Sequence, residues 1–136
     1  MITKKIRFYK LTGLLMALLY VTGCAKNPFD HRTKYIGDYD FRIDFSCTPS
    51  LGNCDTTYHY QGNIDYSDDK DKVIIHYDKN RMIEPLIDEN ENLIQHIDHY
   101  QDDSLGRFIN KNEVEFVVRD GGLGGGFFWH AYGKKK

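Results

Sequence analysis

Apolar and polar residues alternate with period two along almost the whole chain after residue 34, and this pattern restricts the possible folds more than any other feature. Tyr35, Gly37, Tyr39, Phe41, Ile43 and Phe45 share one face of an extended segment, while Asp38, Asp40, Arg42 and Asp44 take the other. Tyr58, Tyr60, Gly62, Ile64 and Tyr66 repeat it against Thr57, His59, Gln61, Asn63 and Asp65. Side chains of a strand point to opposite faces in turn, so this alternation marks half-buried antiparallel strands. The aromatic and β-branched content suits such a surface.

Polar punctuation divides the remainder into further strands. Ser67–Asp71 precedes Val73–Tyr77, and Asp78-Lys79-Asn80 precedes Met82–Ile87. Asp88–Asn92 leads into Leu93–Tyr100, and Gln101–Ser104 into a short strand near Gly106–Ile109. Asn110-Lys111-Asn112 leads into Val114–Val118, and a glycine-rich run at 121–126 into Phe127–Gly133. The expected fold is all-β: about eight strands in an antiparallel up-and-down meander, forming a small barrel or a strongly curved sheet. A sandwich would need longer crossovers than these connections allow.

The N-terminus has a different character. Lys4, Lys5, Arg7 and Lys10 precede an apolar run from Leu11 to Val21, and a small Gly23 stands before Cys24. These are the parts of a secretory signal peptide. The run of 11 residues is short of the roughly 20 needed to span a bilayer. Val21-Thr22-Gly23-Cys24 resembles a bacterial lipobox, which implies cleavage before Cys24 and lipid attachment to its sulfur. The chain then divides into a leader (1–23), the lipidated cysteine with a polar tether (24–34), and a β domain (35–136). Ala25 stands where an Asp would signal inner-membrane retention in some bacteria, so the resemblance implies an outer-membrane lipid anchor facing the periplasm or the cell surface.

The leader holds four of the 18 Lys and Arg and none of the 20 Asp and Glu, so the mature part sets 14 cations against 20 anions, a net −6. Such a domain is repelled by nucleic acid, which is not expected as a partner. With Cys24 taking lipid, Cys47 and Cys54 remain as a pair. In an oxidising compartment they are expected to form a disulfide that pins one loop, the alternative being two free thiols. The mature length suits one small domain, expected to act as a monomer.

The segments Tyr35–Phe41, Gly106-Arg107-Phe108, the glycine run 121–126 and Gly133-Lys134-Lys135, together with the turn-separated strands, resemble small lipocalin-like (calycin-type) lipoproteins of Bacteroidota. The resemblance implies a lipid-anchored β-barrel and carries over no catalytic residue.

Candidate chemistry in the domain is sparse. The glycine run lacks the third glycine of a dinucleotide fingerprint, where Phe127 stands, and has no following helix. Asp88–Asn92 opens like a calcium loop, but Leu93 replaces the sixth-position glycine and His99 the twelfth-position glutamate. His59 and His76 fall on solvent faces, and His96 and His99 fall on opposite faces of one strand. Ser104 sits in an acidic turn with no nucleophile motif around it. No metal, cofactor or enzymatic activity is therefore expected. Glu84 is the one ambiguous position. It lies inside the barrel if Met82 and Leu86 point inward, and in solvent if Ile83 and Ile87 do, which is the favoured reading. Pro85 marks this segment as an edge or opening, and Glu84 is a weak ligand-binding candidate. The aromatic residues of the inward faces favour a filled interior over one that holds a ligand.

The sequence thus points to a non-catalytic binding or interaction module, anchored in the membrane through lipid and presented to a small apolar ligand or an envelope protein. The alternative is an envelope-protective inhibitor of an enzyme such as lysozyme or a protease.

Overall fold

The computed structural model describes residues 29–95 and 103–136. Two compact units divide the chain, Met1–His31 and Arg32–Lys136, and the strands of the described residues belong to the second. Among the described residues no helix is long and apolar enough to cross a membrane. The leader, Cys24, His96 and His99 lie outside the described residues.

The expected all-β meander is present. Among the described residues nine strands form one antiparallel sheet: β1 (Gly37–Cys47), β2 (Thr56–Tyr66), β3 (Val73–Asp78), β4 (Arg81–Ile83), β5 (Leu86–Ile87), β6 (Asn92–Gln95), β7 (Asp103–Asn110), β8 (Glu113–Gly122) and β9 (Gly125–Lys135). Their spatial order is β4-β3-β2-β1-β9-β8-β7-β6-β5. The first strand pairs with the last, from Tyr39↔Lys135 to Cys47↔Phe127. All other neighbours are consecutive in the chain, and the two edge strands, β4 and β5, are separated only by Glu84 and Pro85. A sheet in this order must curl strongly.

The ninth strand arises from Pro85. Ile83 pairs with Ile75, Met82 with His76 and Leu86 with Lys72, one register from His76 back to the residue before β3, with a shift only between His76 and Asp78. Val73 donates its N–H to the carbonyl of Pro85 (3.1 Å), but proline has no N–H to return the bond. The segment expected as one strand, Met82–Ile87, is therefore interrupted at its centre. Beyond the interruption β5 also pairs with β6, Leu86 opposite Ile94 and Ile87 opposite Leu93. The two ends of the curled sheet thus meet at the Lys72–Leu86 bridge, while β4 keeps an open edge.

The inward face follows the alternation. Tyr39, Phe41, Ile43, Ile64, Val73, Ile75, Leu93 and Ala131 are fully buried, with Tyr77, Val114 and Phe116 barely exposed. Tyr58, Tyr60 and Tyr66, assigned to the core by pattern, are only half-buried. The interior is packed with rings: Tyr77 meets Phe116 edge-on at 5.3 Å, and Phe116 meets Phe41 at 6.2 Å. Gly133 makes room for Phe41, because a Cβ there would stand 2.5 Å from its Cε1.

One end of the sheet, at the start of β1, carries a 3-10 turn, His31–Lys34. The polar tether expected up to residue 34 is therefore structured at its end, and Arg32 within it is buried. Its Nη1 donates to the carbonyls of Lys72 (2.7 Å), Asp69 (2.7 Å) and Ser67 (3.2 Å). Next to it the ring of Tyr35 stacks on Phe108 at 3.7 Å, and its hydroxyl donates to Glu91 (2.6 Å).

Candidate functional site

The interruption at Pro85 produces the candidate site. The edge of β4, the end of β6 and the start of β7 border a cleft of about 840 Å³. Met82, Ile83, Pro85, Leu86, Ile94 and Leu105 supply apolar walls, and Lys72, Glu84, Asp88 and Gln95 supply the polar ones. Small-molecule sites fall in this size range and have this mostly apolar lining with a few polar groups. Met82 and Leu86 are exposed, although both are large and apolar. The side chain of Met82 is unbranched and adaptable, well suited to ligands of irregular shape.

Ile87 is buried and Ile83 packs against the core, so Glu84 projects outward as the favoured sequence reading had it. It stands at the cleft all the same. Its carboxylate accepts the hydroxyl of Ser67, a buried residue whose oxygen also receives the N–H of Asp69 (3.1 Å). The three-carbonyl grip of Arg32 fixes the Ser67–Lys72 turn, and that turn in turn orients Glu84 and Lys72. Lys72 pairs with Asp69 at 3.2 Å. Lys72, Ile94 and Leu105 were not singled out in the sequence. They reach the cleft only through strand register, and the one local sign of them was a proline inside an alternating segment.

Asp88 also borders the cleft, but its carboxylate is already engaged. One oxygen accepts the N–H groups of Asn90 (2.9 Å) and Asn92 (2.8 Å), and the other accepts the amide of Asn92 (2.8 Å). The side-chain amide of Asn92, followed by these backbone donors, holds Asp88 below the ordinary carboxylate range. This acidic turn stabilises itself. Glu91, at positive φ (66°), turns back to accept Lys34 (2.5 Å) and Tyr35, which likewise lower its pKa.

The other sequence candidates are dispersed. Cys47 and Cys54 are joined by a disulfide with their Cα atoms 5.9 Å apart. The glycine run forms a tight hairpin between β8 and β9, in which Gly121 pairs with Gly126 and Gly122 with Gly125. Gly125 has φ 141°, and a Cβ there would meet Thr48 Oγ1 at 2.5 Å. The hairpin and the disulfide loop are tied together: Thr48 donates its N–H to Gly126 (3.0 Å), and Ser50 its hydroxyl to Gly124 (3.2 Å). His59 is exposed and lies opposite Arg42, while Ser104 is exposed on β7. Among the described residues no three His, Cys, Asp or Glu side chains gather closely enough to hold a metal ion.

No protein-family model, curated protein or solved structure matches this chain.

Proposed function

We propose that this protein is an exported, lipid-anchored envelope lipoprotein whose β domain is a non-catalytic binding module, with the cleft at Pro85 as its ligand site. The observation that carries the reading is the cleft itself, an apolar hollow of about 840 Å³ at the edge of an otherwise aromatic-filled sheet. The leader and the Val21–Cys24 motif support export and anchoring through Cys24 to the outer membrane, facing either the periplasm or the surface. Leu86→Arg places a charge on the apolar wall and tests the site. Full-length wild type and variant are recovered from host membranes, and their bound small molecules are extracted and weighed by mass spectrometry. A species enriched on the wild type and absent from the variant supports the reading. Equal recovery from both, or none from either, overturns it.

A second reading, inhibition of an enzyme such as lysozyme or a protease, is favoured by one observation. The disulfide loop and the glycine hairpin form a joined tip that exposes Leu51 and Leu123. A protruding element held in shape before binding loses little entropy on docking. The check is residual lysozyme and protease activity with the wild-type chain and with Leu51→Asp/Leu123→Asp. Inhibition lost in the double variant supports this reading, and activity unaffected by the wild type excludes it for both enzymes.

A further inference from the structure

The charges around the cleft are unevenly balanced, and we propose that its ligand is a small amphiphile with a cationic nitrogen, of the alkylamine or alkylammonium class. This rests on the reading of the cleft as a ligand site. The chain of the amphiphile lies along Met82, Leu86, Ile94 and Leu105, and its positive group meets Glu84.

Each charged group at the cleft has a different status. The ammonium of Lys72 is matched by Asp69 at 3.2 Å, so that pair contributes no net charge. Asp88 stays anionic, with its carboxylate occupied by three N–H donors. Glu84 has a hydroxyl partner in Ser67, and among the described residues no cation pairs with it. The rim is therefore net negative, beside an apolar wall.

That combination discriminates among amphiphiles. An apolar chain covering the wall removes water from the surroundings of Glu84, and an unpaired carboxylate losing its solvent is disfavoured. A cationic headgroup offsets this loss. A neutral headgroup does not, and an anionic one adds repulsion, strengthened next to the low-dielectric wall. Ser67 holds the carboxylate in place before any ligand arrives, which limits the ordering required on binding. The net −6 of the mature chain favours the approach of cations in general but does not direct them to one residue.

The test uses the full-length chain titrated calorimetrically with dodecyltrimethylammonium, dodecanol and dodecanoate, each below its micellar concentration. The wild type should prefer the ammonium to the alcohol by about fivefold, the size of one partly exposed ion pair, with the carboxylate weakest. Glu84→Gln, which keeps an acceptor for Ser67, should bind the ammonium and the alcohol alike, the alcohol no more weakly than the wild type binds it. Leu86→Arg should weaken the ammonium and the alcohol. If all three bind the wild type equally and Leu86→Arg weakens these two, the charge inference is overturned and the ligand site stands. A preference for ammonium that persists in Glu84→Gln also overturns the inference, since it reports only overall charge. If none binds, or Leu86→Arg has no effect, both the inference and the ligand site fail.

Discussion

Arg32 holds the Ser67–Lys72 turn by three backbone carbonyls, and its guanidinium lies 5.0 Å from the ring centroid of Tyr66. Hydrogen bonds from a charged donor are the costly ones to lose when buried, and a lysine lacks the planar fork. Arg32→Met should cost roughly 3 kcal/mol, read as a lower urea midpoint, and Arg32→Lys should recover only part of it. An unchanged midpoint would mean that the turn holds itself. This role is not legible in the sequence: Arg32 lies in a polar stretch without periodicity, and its partners are carbonyls some 35 to 40 residues away. Glu91 supplies a pH test. Lys34 and then Tyr35 hold its carboxylate low, so the folded chain binds fewer protons at this site than the unfolded chain. Its contribution is complete above the ordinary carboxylate value of about 4 and is lost as pH falls through the lowered one. Thermal melts of Glu91→Gln should start roughly 2–4 °C lower at neutral pH and fall less steeply in acid than the wild type. Parallel curves would refute the assignment.

At the level of elements, β1 and β2 were readable because alternation and burial coincide over long runs, as at Tyr39, Phe41 and Ile43. The segment Met82–Ile87 was harder to read, because apolar residues occupy both of its faces. Only the folded arrangement shows that Ile83 and Ile87 pack toward the core, Ile83 also lining the cleft, while Met82 and Leu86 are exposed there. The cleft depends on Lys72, Ile94 and Leu105 arriving from three other places in the chain, so it was legible only as an expected opening near Pro85. The disulfide loop was legible from the pair of cysteines left once Cys24 is set aside, but its bonds to the glycine hairpin were not. Closing a loop of seven residues' separation removes little chain entropy, so replacing both Cys47 and Cys54 by serine should cost about 2–3 kcal/mol. Calorimetry should show a lower Tm, while binding at the Pro85 cleft, on other strands, should stay within twofold. A loss of binding would link the two ends of the sheet. Phe41 rests against Gly133, and Gly133→Ala should cost about 1–3 kcal/mol by forcing that ring aside, measured by denaturant unfolding.

For the whole molecule, the proposed anchoring depends on one atom, the sulfur of Cys24. Cys24→Ser in the full chain should move the protein from the membrane pellet to the soluble fraction and abolish incorporation of labelled fatty acid. Retention in the pellet would refute lipid anchoring at that residue. The pairing of β1 with β9 has a further consequence, which concerns time. The first strand waits for the last: until Gly125–Lys135 has emerged, β1 and β8 each lack a neighbour, and the most distant contacts in the sequence cannot form. Folding that depends on such distant contacts is slow. Hairpins such as β1–β2 and β7–β8 can form from neighbouring segments, but the two halves of the sheet are joined only when β9 enters between β1 and β8. Such late joining would suit the proposed export, because a sheet still in two halves resists unfolded passage through a membrane less than a finished one.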